Sequence, residues 1–487
     1  MKRKHDIWFV VVFSLLFIAT NSFLVYRGFM LFSVVPVMLL IGFWVFFAPE
    51  KLYFALVFLA PLSIPLKRIM SGLPFDFWFP TEPILVFLLV MLILKSINER
   101  FFLKDILNHP VFWSIVLYLG WIVIAIIPSE MIVVSIKYFL VRFWFIGVFF
   151  YLSVLMFRKD PKNIDRFLWA FILGMAVVSL YTIVKQIGVG LTNQRAAHGA
   201  SGPFFIDHTS YGAALAFIIP VCIYYAVKTK NLLARYFSGA VSLLLLVALI
   251  LSYSRAAWLS LVLAGGVWLL AYLRIKFRTI VITLAIVAGI FFTFQHEIMW
   301  RLESNTTESS GNFMEHVRSI YNIKTDASNL ERLNRWNAAF EMFQQRPIFG
   351  WGPGTYQFMY APFQKSYLRT IISTNFGTGG NAHSEYLGLM SEAGMVAAIG
   401  YVLIIVFTLF RGFKIASKSS GKVRALILAC LTGLTTYIAH GFLNNFLDSD
   451  KIAAPFWGFI AIIVTLDITK GRFNEQYTSN ELEKLER

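Results

Sequence analysis

Residues 236–273 read YFSGAVSLLLLVALILSYSRAAWLSLVLAGGVWLLAYL. Two apolar runs of about 18 residues meet at Ser254-Arg255, and neither alternates polar with apolar side chains. Runs of that length cross the hydrocarbon of a bilayer as helices, because lipid offers nothing to an unpaired backbone amide. Barrel strands would be shorter and strictly alternating. Working outward in both directions, similar windows appear at 7–25, 29–47, 51–66, 82–97, 111–128, 136–157, 166–187, 209–227, 278–296, 384–411, 423–441 and 453–469, in addition to 236–253 and 256–273. The third window is short and the ninth and tenth nearly touch. The expected fold is therefore an all-α polytopic membrane protein of about 12–14 transmembrane helices.

Composition agrees. Hydrophobic residues make up 58% and charged residues 14% of 487 positions, far from the proportions of a soluble domain. The formal charge of +17 raises the question of nucleic acid, but the basic residues are not gathered into one binding face. With the amino terminus inside, alternate loops from Lys2-Arg3-Lys4 to the Arg411–Arg424 connection hold about 26 of the 43 Lys and Arg residues. The short loops on the other side hold about five, namely Arg27, Lys67, Arg68, Arg195 and Lys451. That asymmetry is the mark of cytoplasmic loops and of contact with anionic membrane lipids, so no nucleic-acid partner is expected. Both termini are expected in the cytoplasm. Cys222 and Cys430 both fall inside spans, which predicts neither a disulfide nor a metal site.

The one long polar interruption, residues 297–383, is expected on the opposite side from the termini. The predicted organisation is transmembrane helices 1–11 over 1–296, a loop subdomain over 297–383, transmembrane helices 12–14 over 384–469 and a cytoplasmic tail over 470–487. Within the loop, Ser328-Asn329-Leu330-Glu331 has capping-box spacing and predicts a helix start. Leu330, Leu333, Trp336, Phe340 and Phe343 then share one side, an apolar stripe suited to resting on the membrane domain, with Arg332 at its edge and Arg335 pointing further away. Pro347 and the glycines of Gly350-Trp351-Gly352-Pro353-Gly354 end that helix.

His383 stands where Asn381-Ala382-His383-Ser384-Glu385-Tyr386 enters the next span, with Asn381 or Ser384 as the cap. The positive end of that helix favours an anion and should hold the imidazole neutral, the form that accepts a proton. Arg255 lies between two spans and Arg142 inside the sixth. Membrane-embedded cations mark functional sites, although each side chain also has the reading of a snorkelling residue. Several arginines and no cluster of exterior carboxylates suit a phosphate-bearing ligand, since the planar fork matches phosphate oxygens. His208 either lines the same cavity or caps the eighth span. Scattered acidic residues without ligand spacing predict no metal site and no cofactor.

Three segments together resemble the O-antigen ligase and O-antigen polymerase superfamily of bacterial envelope glycosyltransferases: Ser254-Arg255-Ala256-Ala257-Trp258; Arg332-Leu333-Asn334-Arg335-Trp336 running into Pro347-Ile348-Phe349-Gly350-Trp351-Gly352-Pro353-Gly354; and His383-Ser384-Glu385-Tyr386-Leu387 followed by Glu392-Ala393-Gly394. The likeness is clearest from about residue 200 to 411. It implies a GT-C-like transferase of the bacterial inner membrane that works without metal. Its donor would be an undecaprenyl-diphosphate-linked glycan, and its acceptor lipid A-core or another lipid-linked glycan. On that likeness Arg255 and Arg332 hold the donor diphosphate and His383 acts on the acceptor hydroxyl. Arg142, Arg335, His208, Glu385 and Tyr386 are candidates for the substrate cavity. The family's usual count of about twelve spans and its asparagine before the eighth span, replaced here by His208, are departures. A transporter or flippase remains the alternative class, against which stand the lack of visible inverted repeats and the long one-sided loop. A metal-dependent oligosaccharyltransferase would want carboxylates in the first exterior loop, which here is only a few residues around Arg27.

Overall fold

A computed structural model of the chain describes residues 2–69, 77–99, 104–191, 193–276, 278–279, 282–283, 286, 327–369, 373–374 and 380–469. The tail from 470, the window at 278–296 apart from a few positions, and residues 297–326 lie outside the described residues, as does the side chain of Arg195.

The described chain is almost entirely helical. Helices α1 (Lys2–Tyr26), α2 (Val35–Phe47), α3 (Pro49–Leu59), α4 (Thr81–Glu99), α5 (Pro110–Ile126), α6 (Ile132–Lys159), α7 (Lys162–Ile187), the short α8 (Gln194–Ala200), α9 (His208–Lys228), α10 (Leu232–Leu251) and α11 (Arg255–Tyr272) come first. After them come α12 (Ala327–Gln345), the single turn α13 (Tyr356–Met359), α14 (Glu385–Lys418), α15 (Gly421–His440) and α16 (Asp450–Ile468). Eight of these are long and apolar enough to cross a membrane, and shorter apolar helices cover Val11–Tyr26, Phe32–Phe47 and Pro110–Ile126. The chain is a multi-pass membrane protein. The predicted windows coincide with helices wherever they are described, with two adjustments. The third window ends early, at Leu59, because Pro61 withholds an amide and the chain turns through Ala60–Leu62. The sixth carries a π-helical stretch over Ile146–Leu152.

Helix α16 is the centre of the bundle. Its apolar residues run all round, so it has no face to offer water or lipid, and it is buried over almost its whole length. Its first turn sits on a buried polar clamp. Asp450 accepts from Ser63 Oγ at 2.8 Å and Thr81 Oγ1 at 2.6 Å. Lys451, counted among the exterior loop cations from sequence, is buried instead: Nζ donates to the carbonyls of Ala60 (3.3 Å) and Ser63 (3.1 Å) and lies 4.0 Å from the Trp78 ring centroid. A two-residue antiparallel pair, β1 (Ile64–Pro65) with β2 (Trp78–Phe79), is fixed beside it.

The loop subdomain is locked to the membrane bundle through a break in α14. Gly394 has φ 76° and ψ −177°, a conformation open essentially to glycine alone, and the helical ladder fails there. The motif 347–352 fills the gap. Trp351 N–H donates to Ser391 O (3.0 Å), Gly352 N–H to Glu392 O (2.9 Å), and Met395 N–H to Pro347 O (2.9 Å). Trp121 of α5 closes the joint, its indole N–H shared between Ile348 O (3.2 Å) and Ala393 O (3.1 Å), its ring stacked on Phe349. A Cβ on Gly394 would stand 1.9 Å from Ile348 O, and one on Gly350 would stand 2.4 Å from the Glu392 carbonyl. Gly394→Ala is therefore expected to cost at least about 3 kcal/mol, from strain and from the backbone clash together. Thermal unfolding of the detergent-solubilised protein checks this, and an unchanged Tm would contradict it.

Candidate active site

The loop helix α12 packs differently from the predicted stripe. Its buried face is Glu331, Asn334, Arg335, Ala338, Ala339 and Met342, whereas Phe340 is 45% exposed. The reason is its partner: the stacked rings of Tyr356 and Tyr360 occupy the subdomain core, where Ala338 and Ala339 permit close approach and Arg335 lies on the Tyr360 ring. The capping-box reading is also corrected. Ser328 already lies within the described helix, and Glu331 turns forward to accept from Arg335 Nε at 2.6 Å and from the Ser373 hydroxyl. Arg335, read as pointing away and as a cavity candidate, is 4% exposed and lies 3.9 Å from the Tyr360 ring centroid. It is a packed ion pair of the subdomain core.

His383 occupies the entrance of α14 in a left-handed conformation, φ 48°, that is unusual for a residue with a Cβ. Three contacts impose it. Asn381 Oδ1 accepts the His383 N–H (3.1 Å), the Trp336 indole donates to its carbonyl (3.0 Å), and Ser384 caps the helix by accepting Leu387 N–H (3.4 Å). Both capping residues named from sequence are thus used, Asn381 for the turn and Ser384 for the helix. The ring is buried beside Arg332, Arg335 and Asn444, and its Nδ1 has no hydrogen-bond partner among the described residues. Burial, and after it the Arg332 and Arg335 guanidiniums, lower its pKa from 6.5 to about 4. Burial and the neighbouring guanidiniums thus favour the neutral imidazole that the sequence leads one to expect.

Arg332 joins this histidine to a second group. His208, the first residue of α9, stacks on His198 of α8 with ring centroids 4.0 Å apart, and both Arg332 and Arg255 act electrostatically on it. The cap of α9 is not His208 but Asp207, which accepts Ser210 N–H at 2.7 Å. Arg255 opens α11 after Ser254, which follows Tyr253, itself at φ 51°. Sequence reasoning missed two members. His440 ends α15 buried near Arg332, Asp207 and Ala256, and Asn444 donates to its Nε2 (3.1 Å) while packing on His383. The only signal was a short polar interruption, His440 through Asn445, between two spans.

Two of the remaining candidates, Arg142 and Glu385, lie on a cavity bordered by the chain neighbours of His383. Its volume is about 620 Å³, and Asn381, Ala382 and Ser384 are the neighbours that border it. Arg142 pairs with Asp448 at 2.6 Å and donates to Tyr138 OH at 3.0 Å. One oxygen of Glu385 accepts from Tyr437 OH and from the amides of Phe446 (2.8 Å) and Leu447 (2.9 Å), which fixes the α15–α16 turn. Tyr386 lies outside the cavity lining; it donates to Ile438 O (3.0 Å) and packs on Phe442 and Tyr401.

Residues 240–402 match the family model described as O-Antigen ligase. The match contains Arg255, Arg332, His383 and the broken helix at Gly394, all of them in the assembly just described. The segment is a domain of the O-antigen ligase family. The match covers about a third of this multi-pass membrane protein; it supports a place in the O-antigen ligase superfamily, whose activity is of the ligase or glycosyltransferase kind. The match begins after His208. A protein of Haemophilus influenzae described as uncharacterized is 23% identical over 292 residues, 59% of this chain and 69% of its own length.

The buried imidazole has a measurable consequence. A depressed folded pKa means that the unfolded chain takes up a proton below pH 6.5 that the folded chain refuses, so His383 lowers stability progressively as pH falls from 6.5 to about 4. In NMR of imidazole-labelled protein, His383 should remain neutral at about pH 5.5, a unit below an ordinary histidine. Arg332→Gln should move its titration upward. A His383 midpoint at the ordinary value in the wild type would contradict the burial argument.

Proposed function

We propose that the chain is a glycosyltransferase acting on the periplasmic face, which moves a glycan from an undecaprenyl-diphosphate carrier to an acceptor hydroxyl. One observation carries the reading: a neutral imidazole at a helix entrance shares Arg332 with a cluster that also holds Arg255, although the three residues are far apart in sequence. Guanidinium forks supply the charge that a departing diphosphate needs, in a site partly shielded from water, where such charge acts most strongly. The acceptor oxygen attacks the anomeric carbon, the bond from that carbon to the diphosphate oxygen breaks, and the hydroxyl proton passes to His383. A single displacement inverts the anomeric centre. The arginines occupy the place that a divalent cation takes in other sugar transferases, so the reaction needs no metal.

The resting histidine is a weak base, and the proposed donor corrects this. A bound diphosphate neutralises the field of Arg332, the second-largest cause of the depressed pKa, while the effect of burial persists. His383 becomes more basic when the donor is in place, which couples proton removal to the presence of a leaving group. Ligase and polymerase chemistry use the same groups and differ only in the acceptor, lipid A-core for one and the next lipid-linked unit for the other.

Purified protein given lipid-diphosphate glycan, with a core-like acceptor or alone, distinguishes them: one transferred block on the core indicates a ligase, a ladder on the lipid a polymerase. His383→Asn keeps a residue that tolerates the left-handed backbone, so it should fold and transfer nothing. Arg255→Lys should lose about tenfold to a hundredfold in rate, since an ammonium lacks the planar fork. A chelator should leave turnover unchanged. Normal product from His383→Asn would remove the histidine from the mechanism, and a strict magnesium requirement would overturn the metal-free displacement.

A further inference from the structure

The cavity beside His383 differs in character from the arginine cluster. Its lining carries four carboxyl side chains, Glu82, Glu385, Glu392 and Asp448, and two cations, Lys137 and Arg142. Arg142 is already committed to Asp448. With Arg142 committed, carboxyl oxygens outnumber the remaining cations in the lining, which favours groups that hydrogen-bond to them over a second anion. Trp78 and Tyr138 add aromatic faces, and the volume of about 620 Å³ lies within the usual range for small-ligand sites, about 300–1,000 Å³.

Two further observations point to an occupant. Arg142 is 5% exposed, yet its Nε and Nη1 have no hydrogen-bond partner among the described residues. Asn445, also in the lining, leaves its Oδ1 buried in the same condition. Buried polar atoms without partners are costly, so a ligand that satisfied both would gain from doing so. One set consists of donors and the other is an acceptor. A hydroxyl is the group that serves both, because it donates one hydrogen bond and accepts others.

Resting on the transferase reading above, we propose that this cavity is the acceptor subsite and that it takes an uncharged, hydroxyl-rich sugar ring. Its position fits the reaction. Asn381, Ala382 and Ser384 flank His383 and border the cavity, while Asn445 follows the Asn444 that packs on the imidazole. The diphosphate is held by guanidiniums near the histidine, and the acceptor ring lies against the Asn381–Ser384 turn that carries it. The same sugar chemistry also belongs to the first ring of the donor glycan, and the experiment separates the two sources.

Two variants probe the cavity without touching the arginine cluster. Gln357 is an exposed lining residue, and Gln357→Trp should fill the space. Arg142→Lys keeps a cation for Asp448 but removes the unpartnered guanidinium nitrogens. Saturation-transfer NMR on the purified full chain, with methyl glucoside and with glucuronate as probes, reads binding directly. Methyl glucoside should give a signal that falls about tenfold in either variant, and glucuronate should give none. In transfer assays both variants should raise the acceptor KM about tenfold and leave the donor KM unchanged. Glucuronate binding as well as the neutral sugar, a methyl glucoside signal insensitive to Gln357→Trp, or a rise in donor KM alone would each overturn the proposal. Sugar binding by a wild-type protein that transfers nothing from a lipid-diphosphate donor would overturn the transferase reading, and the acceptor role with it, while leaving the sugar site in place.

Discussion

The structure depends on a helix that is broken where another part of the chain repairs it. Helix α14 cannot continue through Gly394, and lipid would not satisfy the carbonyls and amides that the break exposes. The segment 347–352 supplies the missing partners, pairing Trp351, Gly352 and Pro347 with Ser391, Glu392 and Met395. The repair thus also fixes the loop subdomain to the bundle. Glu392 reinforces the joint with its side chain, accepting Tyr356 N–H at 3.0 Å, and Ser135 of α6 donates to Pro353 O at 2.9 Å. Because α12 belongs to the subdomain, the same joint carries Arg332 to the mouth of α14, where His383 waits. Two short motifs that are weak as patterns are one physical object once folded.

That joint organises the electrostatics around a single imidazole. Near it stand Arg332, Arg255 and the stacked pair His198 and His208, and the turn that carries it borders a cavity with more carboxyl groups than cations. His383 is kept uncharged by burial and by its cationic neighbours. A displacement that must neutralise a departing diphosphate and remove a hydroxyl proton calls for this division of charge. Strain is stored at the same point, in the positive φ of His383 and the Asn381 turn that imposes it.

Much of the architecture was legible because hydrophobic periodicity and run length respond directly to the bilayer. The third window could not be read to its end from apolar content, since Pro61 and the polar clamp of Ser63, Asp450 and Lys451 take over there. Lys451 shows the same limit: a cation near a helix end reads as a loop residue until three distant segments are seen to close around its ammonium. In the subdomain the stripe of Leu330, Leu333, Trp336, Phe340 and Phe343 had the larger apolar surface, yet the smaller face of Ala338 and Ala339 was buried. Shape complementarity to Tyr356 and Tyr360 outweighed bulk hydrophobicity. Glu331 likewise chose Arg335 over its own helix terminus, because a buried guanidinium needs a carboxylate more than an amide does.

By itself the sequence determined that the chain is a bundle of membrane helices and that one polar loop interrupts it, and it pointed to Arg255, Arg332 and His383 as candidates for the chemistry. Composition and spacing are local quantities, and the bilayer reads them locally. Only the tertiary structure decided which residues meet: that His440 and Asn444 join the histidine, that Arg335 is withdrawn into an ion pair, that Arg142 and Glu385 line a separate cavity, and that neutrality at His383 comes from burial. Those outcomes are set by contacts between segments as much as several hundred positions apart, where packing and charge compete, and no window along the chain contains both partners.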